Sequence, residues 1–187
     1  QTHLGSISPL HNPRPPPHIL RMDKEKVAEV LVEIGTLLEL QGENPFKTRA
    51  YGNAARTLEG LSEPLSKIVA EKRLGAIKGI GEALEQKITE LVETGKLKYY
   101  EDLKASIAPG LVEMLDIPGL GPKKIQAMHK KLGVDSIAKL EAACKAGKVA
   151  ELEGFGEKTQ TNILEGIERK RQYASKHRLG DALAAAE

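Results

Sequence analysis

Three segments of this chain read alike: IKGIGEALEQKI (77–88), IPGLGPKKIQAM (117–128) and LEGFGEKTQTNI (152–163) align without gaps. Each runs apolar, any residue, Gly, apolar, Gly, and then starts a helix. Such a repeat constrains the fold more than any single residue, because each copy is one small unit that buries its apolar positions only against neighbours. Two glycines around one apolar residue let the chain turn sharply between helices and leave backbone bare where a Cβ would stand. The helix that follows begins with unpaired N–H groups at the positive end of its dipole, a ready seat for a phosphate. One Gly-x-Gly is commonly just a turn between helices. Three copies in frame point to a shared docking role. The first and third copies close on Ile88 and Ile163, while the middle copy places its isoleucine, Ile125, slightly earlier.

The remaining sequence is also helical in period. From Asp23, the residues Val27, Val30, Leu31, Ile34, Leu37, Leu38 and Leu40 keep helical spacing until Gly42. Asn44 and Pro45 read as N-cap and first residue of a second helix, with Phe46, Ala50, Tyr51, Ala54, Ala55 and Leu58 as its apolar stripe up to Gly60. Ser62 with Pro64 opens a short third helix carrying Leu65, Ile68 and Val69. Ser136 caps a helix over 137–146, and a terminal helix runs from Glu157 to about Tyr173. Strand alternation is missing, and aromatic content of 3% without tryptophan suits small helical units better than a broad sheet. The predicted fold class is all-α: a small helical bundle domain, then a second helical domain, with tandem helix-hairpin-helix motifs.

Residues 1–21 are rich in Pro, His and Ser without an apolar period, and read as a disordered leader or tag. His3, His11 and His18 are too irregularly spaced for a metal site. The lone Cys144 reads as a buried small hydrophobe in a reducing, cytoplasmic setting. No apolar run approaches the ~20 residues of a membrane span. The formal charge of +2 announces no polyanionic partner, so local geometry must carry that inference. Locally the copies differ. The middle one holds Lys123, Lys124, Lys130 and Lys131 with no acid between Ile117 and Val134, which makes it the best phosphate clamp. The first sets Glu82 and Glu85 against Lys78 and Lys87, and the third sets Glu157 beside Lys158, so the third copy reads as mainly structural.

Four pieces, GENPFKTRAYGNAARTL (42–58), KGIGEALEQKI (78–88), ETGKLKYYEDL (93–103) and IPGLGPKK (117–124), resemble in order and spacing the N-terminal region of bacterial or archaeal-type family X DNA polymerases, the polymerase beta-like family. The resemblance implies a domain over 22–110 containing the first hairpin, a second over 111–175 containing the other two, and at 176–187 the start of a linker helix toward a palm domain outside this sequence, a fragment therefore. It implies gapped or nicked duplex DNA with a 5′-phosphate as partner, a monomeric state, nucleoid association and a part in base excision repair. DNA-binding positions would be Lys47, Lys78, Gly79, Gly81, Gly119, Gly121, Lys123, Lys124, Gly154, Gly156 and Lys158. A Na+ or K+ ion would sit on the backbone carbonyls of Gly75, Ile77 and Ile80, and another on those of Leu115, Ile117 and Leu120. Mg2+ would belong to the palm, and no Asp-x-Asp pair for it occurs here.

Carried over residue by residue, a 5′-deoxyribose phosphate lyase would use Lys87 as its Schiff-base lysine and Tyr51 to arrange the pocket. An imine needs a neutral amine, and a free lysine near pH 7.4 is neutral in about one copy per thousand. Lys47 and Lys78 would help lower that barrier and Glu85 would oppose it. Ala83, Asn53 and Phe46 replace family phosphate ligands, which weakens the lyase assignment. The residues alone leave Lys87 open between imine former and solvated phosphate contact. A non-enzymatic helical repeat scaffold for a protein partner is the rival reading of the whole chain.

Overall fold

The computed structural model describes residues 22–184, with side chains to residue 174. The expectations for residues 1–21 lie outside the described residues. Those described form nine α-helices and one 3-10 turn and contain no strand, the predicted all-α class.

Helix α1 (Lys24–Leu40) is capped by the Asp23 carboxylate, which accepts from the Lys26 amide at 2.9 Å, and buries Val27, Leu31, Ile34, Leu37 and Leu38 along one side. Helix α2 (Pro45–Glu59) starts at Asn44, whose side chain accepts from the Phe46 amide at 2.9 Å. It lies against α1 through small residues, Ala54 and Ala55 on α2 and Gly35 on α1. A Cβ on Gly35 would come within 3.3 Å of the Thr48 carbonyl oxygen. The Lys24 ammonium closes the pair by donating to the carbonyls of Leu61 (2.6 Å) and Glu59 (3.1 Å) at the end of α2. Phe46 departs from its expected place in the α2 stripe: it is 77% exposed, with the Arg49 guanidinium 5.5 Å from its ring centre. At 100° per residue it stands about 140° around the helix from Tyr51, on the far side from the core.

Helix α3 (Leu65–Ala70) begins after Pro64, without a side-chain cap from Ser62. Pro64 is fixed in an extended conformation (φ −58°, ψ 130°) directly before the helix, leaving Ser62 too far back to cap. A 3-10 turn (Leu74–Ala76) leads to the first glycine loop and α4 (Glu82–Thr94). After α5 (Lys98–Ala105) come α6 (Pro109–Met114), the second loop, α7 (Pro122–Leu132), α8 (Ile137–Lys145), the third loop and α9 (Glu157–Ala184). The Ser136 hydroxyl caps α8 as expected, accepting from Lys139 N at 3.3 Å. Helix α9 runs eleven residues beyond the expected end near Tyr173, because no glycine or proline stop falls at that point.

The buried apolar residues form one connected cluster from Val27 to Ile167. Burying a leucine or isoleucine fully contributes roughly 1.5–3 kcal/mol, and this cluster holds α7 against the C-terminal half of α1. Gly110 lets α6 reach the cap of α8, since a Cβ there would fall 2.1 Å from the Asp135 carbonyl oxygen. Arg171 ties α9 to α8 through both oxygens of Glu141, which is also bound by Lys145, and these partners hold the Glu141 carboxyl down at about 2. Cys144 is buried beneath them, and burial raises its thiol to about 11, as fits a packing residue.

Candidate nucleic-acid interface

The three loops share one backbone. In each, the apolar residue between the glycines donates its amide back to the residue three before it: Ile80 to Ile77 (3.0 Å), Leu120 to Ile117 (3.0 Å) and Phe155 to Leu152 (2.9 Å). The first glycine of each pair has positive φ, +93° at Gly79 and +80° at Gly119 and Gly154. A turn with positive φ at its third residue excludes most side chains there. The second glycine caps the next helix in extended conformation, φ −85° at Gly81 and −87° at Gly121. Ile80 and Leu120 plug the core beneath their loops, while Phe155 is half-buried. The repeat ends on buried Ile88, Met128 and Ile163. Met128, seven residues past Gly121, fills the closing position of the middle copy, and Ile125 is buried one turn earlier.

No backbone requirement explains the second glycines, whose dihedrals suit any L-residue. Internal packing does not explain them either, because a Cβ at Gly81, Gly121 or Gly156 would meet nothing within 4 Å. What a side chain would obstruct is approach from outside. The first backbone bonds of α7 are donated by Lys124 and Ile125 to the Gly121 carbonyl, both 3.1 Å. The Lys123 amide ahead of them thus has no partner within the helix.

Charge separates the loops. Helix α4 carries Glu82 and Glu85 in its first turn and α9 carries Glu157, acids that satisfy the positive end of each helix. Helix α7 has no acid in its first turn and opens with Pro122, Lys123 and Lys124. Cations at that end oppose the helix dipole by about 0.3–1 kcal/mol, a local conflict that a bound anion would relieve. The stretch is acid-free in sequence, yet Glu39 of α1 reaches Lys123 at 3.7 Å; Lys123 stays 80% exposed. The Lys124 ammonium leans on the Gly119 carbonyl at 3.4 Å. Lys78 and Lys158 are exposed beside their loops, and Lys47 pairs with Glu43 at 3.2 Å.

Lys87 lies on α4. Its ammonium donates to the Ala83 carbonyl at 3.2 Å and sits 4.7 Å from the ring centre of Tyr99 on α5. The Tyr99 ring stacks parallel to that of Tyr51, centres 6.5 Å apart. Tyr51 is buried, and burial together with a hydrogen bond to Tyr99 pushes its phenol pKa well upward. The Lys87–Tyr99–Tyr51 column joins α4, α5 and α2. Lys87 thus meets the Ala83 carbonyl and the Tyr99 ring. Tyr99 was missed by sequence reasoning, since nothing local links it to residues 12 and 48 positions away.

Two of the backbone carbonyls expected to hold monovalent cations, those of Ile77 and Ile117, lie in the turns before the first and second glycine pairs. Ile77 and Ile117 each accept only the turn hydrogen bond from outside the helices, and a carbonyl has a second lone pair. Among the described residues, no group of His, Cys, Asp and Glu side chains is arranged to hold a metal ion, and no helix is long and apolar enough to cross a membrane.

Comparison with known proteins agrees with this geometry. Residues 22–97 match the helix-hairpin-helix domain family, and residues 111–169 match the SAM-like helix-hairpin-helix tandem family. Two stretches of the chain are thus similar to helix-hairpin-helix families, in keeping with its all-α fold and repeated glycine loops. Over 165 residues, 88% of its length, it is 35% identical to the DNA polymerase/3′-5′ exonuclease PolX of Bacillus subtilis (strain 168). That similarity relates it to the N-terminal part of a family X DNA polymerase. The chain spans 28% of the length of that relative.

Proposed function

We propose that this chain binds DNA as a monomer by seating backbone phosphates on its glycine loops, and so positions a gapped duplex for a family X polymerase. The observation that carries the reading is the start of α7: bare backbone at Gly119 and Gly121, then two lysines where the helix itself would favour an acid. Contacts of this kind fix register on the strand and leave the bases unread, so binding is salt-dependent and indifferent to sequence. In this reading residues 111–175 hold the primer side. Residues 22–110 hold the 5′-phosphate side through Gly79, Gly81, Lys47, Lys78 and Lys87, with Gly154, Gly156 and Lys158 as a third, weaker contact. A Na+ or K+ ion on the hairpin carbonyls would add positive charge under the phosphate.

The reading extends to lyase chemistry at Lys87. Its support is the place of Lys87 in the helix that follows the first hairpin, over the Tyr99–Tyr51 column. Imine formation requires its nitrogen to leave the Ala83 carbonyl and attack the sugar aldehyde as a neutral amine, with water expelled as the C=N bond forms.

One experiment tests both levels. With a gapped duplex bearing a 5′-deoxyribose phosphate, Lys123→Glu together with Lys124→Glu should weaken affinity at least about tenfold and flatten the salt dependence. Borohydride should trap a covalent adduct that Lys87→Ala abolishes. Unchanged affinity in the double variant refutes the phosphate seat. Tight binding without an adduct leaves a positioning module, and neither signal hands the chain to the protein-scaffold reading.

A further inference from the structure

The third loop differs from the second, because α9 begins with an acid and the loop lacks the paired lysines. The path of α9 shows what the third repeat contributes instead. Gly166 stands in the interior of this helix, where glycine costs about 1 kcal/mol relative to alanine. A Cβ there would come within 2.7 Å of the Ile117 side chain and 3.5 Å of the Pro118 carbonyl oxygen, so the glycine lets α9 lie directly on the second hairpin. Lys170 fastens it, donating to the Glu113 carbonyl at 2.9 Å and pairing with Asp116 at 3.0 Å. Positions three and four apart on this face, 159, 162, 163, 166 and 169, therefore look toward the second loop. Ile163 is buried there.

Between the loop and this face lies a cavity of about 320 Å³, lined by Gly119, Lys124, Thr159, Asn162, Ile163 and Arg169 among others. No acid lines it. Its two cations are held loosely: Lys124 on the Gly119 carbonyl at 3.4 Å and Arg169 on Glu165 at 3.5 Å, both at the outer limit of a hydrogen bond. Either re-aims at little cost. A guanidinium, an ammonium, a carboxamide and a hydroxyl around one opening are donors suited to phosphate oxygens.

We infer that the second hairpin and the inner face of α9 form one composite phosphate seat, in which Lys124 and Arg169 grip the same internal phosphodiester with Asn162 and Thr159 as neutral donors. This rests on the DNA-binding reading above and gives the third repeat a role of its own, since its helix completes the second repeat's site. Arg169 is then a binding residue although it lies outside every glycine loop.

The test is equilibrium binding of the 187-residue chain to a gapped duplex across a salt series, for the unsubstituted protein, Lys124→Gln, Arg169→Gln, Asn162→Ala and the Lys124→Gln/Arg169→Gln pair. Arg169→Gln should weaken binding about tenfold and reduce the salt slope by about one, with thermal unfolding unchanged because the side chain is exposed. Asn162→Ala should weaken it by a smaller factor. The paired variant should lose less than the product of the single losses, since both cations serve one phosphate. If Lys124→Gln weakens binding while Arg169→Gln does not, the composite seat is overturned and the hairpin reading stands. Losses that multiply would place the two cations on different phosphates and also overturn it. Failure of the unsubstituted protein to bind DNA would remove the hairpin reading and the seat together.

Discussion

Gly119 and Gly121 stand two residues apart in one loop, and alanine at each should have opposite consequences. At Gly121 the backbone (φ −87°, ψ 167°) is ordinary extended conformation and a methyl group would meet nothing within 4 Å. Alanine there restricts the unfolded chain without straining the fold, which stabilises by about 0.4–1 kcal/mol. The melting temperature should rise by roughly 1–4 °C for a chain of this size. The same methyl would stand on the bare backbone at Gly121, in the way of a phosphate approaching that amide. Loss of about one charge-assisted hydrogen bond to a phosphate, at roughly 1.5 kcal/mol, weakens DNA binding on the order of tenfold. Gly119 has φ +80°, where a Cβ costs about 1–2 kcal/mol, so Gly119→Ala should lower the melting temperature. Thermal unfolding by circular dichroism and fluorescence anisotropy with a labelled gapped duplex at one salt concentration read both effects. A Gly121→Ala protein with native melting and DNA affinity within twofold of the parent would refute this reasoning, because nothing would then approach the backbone at that point.

Two further outcomes concern the scaffold. Gly110→Ala should cost about 3 kcal/mol, visible as a lower melting temperature, because its Cβ would strike the Asp135 carbonyl oxygen at 2.1 Å and backbone on both sides resists movement. Glu63 takes a forked bond from Arg73 (3.1 and 2.9 Å) and an ion pair from Lys67 (3.1 Å), which hold its carboxyl at about 2. Its folded pKa lies below the unfolded one, so its stabilisation is complete above about pH 4.5 and is lost as pH falls toward 2. Unfolding curves at pH 5, 4 and 3 should show Glu63→Gln with a shallower decline than the parent over that window, and parallel declines would contradict the assignment.

Much of this architecture could be read in advance because it depends on local chemistry. Asn44 and Ser136 cap the helices they precede, and each Gly-apolar-Gly opens one, since capping and positive φ are settled within a few residues. Phe46 was misplaced by attention to its apolar character over its angle around the helix, although the 100° rule placed it outside the core. In the middle copy methionine at 128 takes the closing position that isoleucine holds in the other two, and packs as well there. Nonlocal contacts were beyond reach. Glu39 beside Lys123, Tyr99 between Lys87 and Tyr51, and Arg169 beside Lys124 all require helices distant in sequence to meet. The first alters the charge at the second loop, the second decides which groups surround Lys87, and the third brings the terminal helix to the cavity beside the second loop.

The central claim is that DNA phosphates sit on hairpin backbone, and amide chemical shifts report on that backbone directly. Titrating the isotopically labelled chain with a gapped duplex should move the amides of Gly119, Gly121, Lys123 and Lys124 most, those of Gly79 and Gly81 next, and all less as salt is raised. Shifts confined to the helix faces, with the glycine amides unmoved at saturation, would contradict the account.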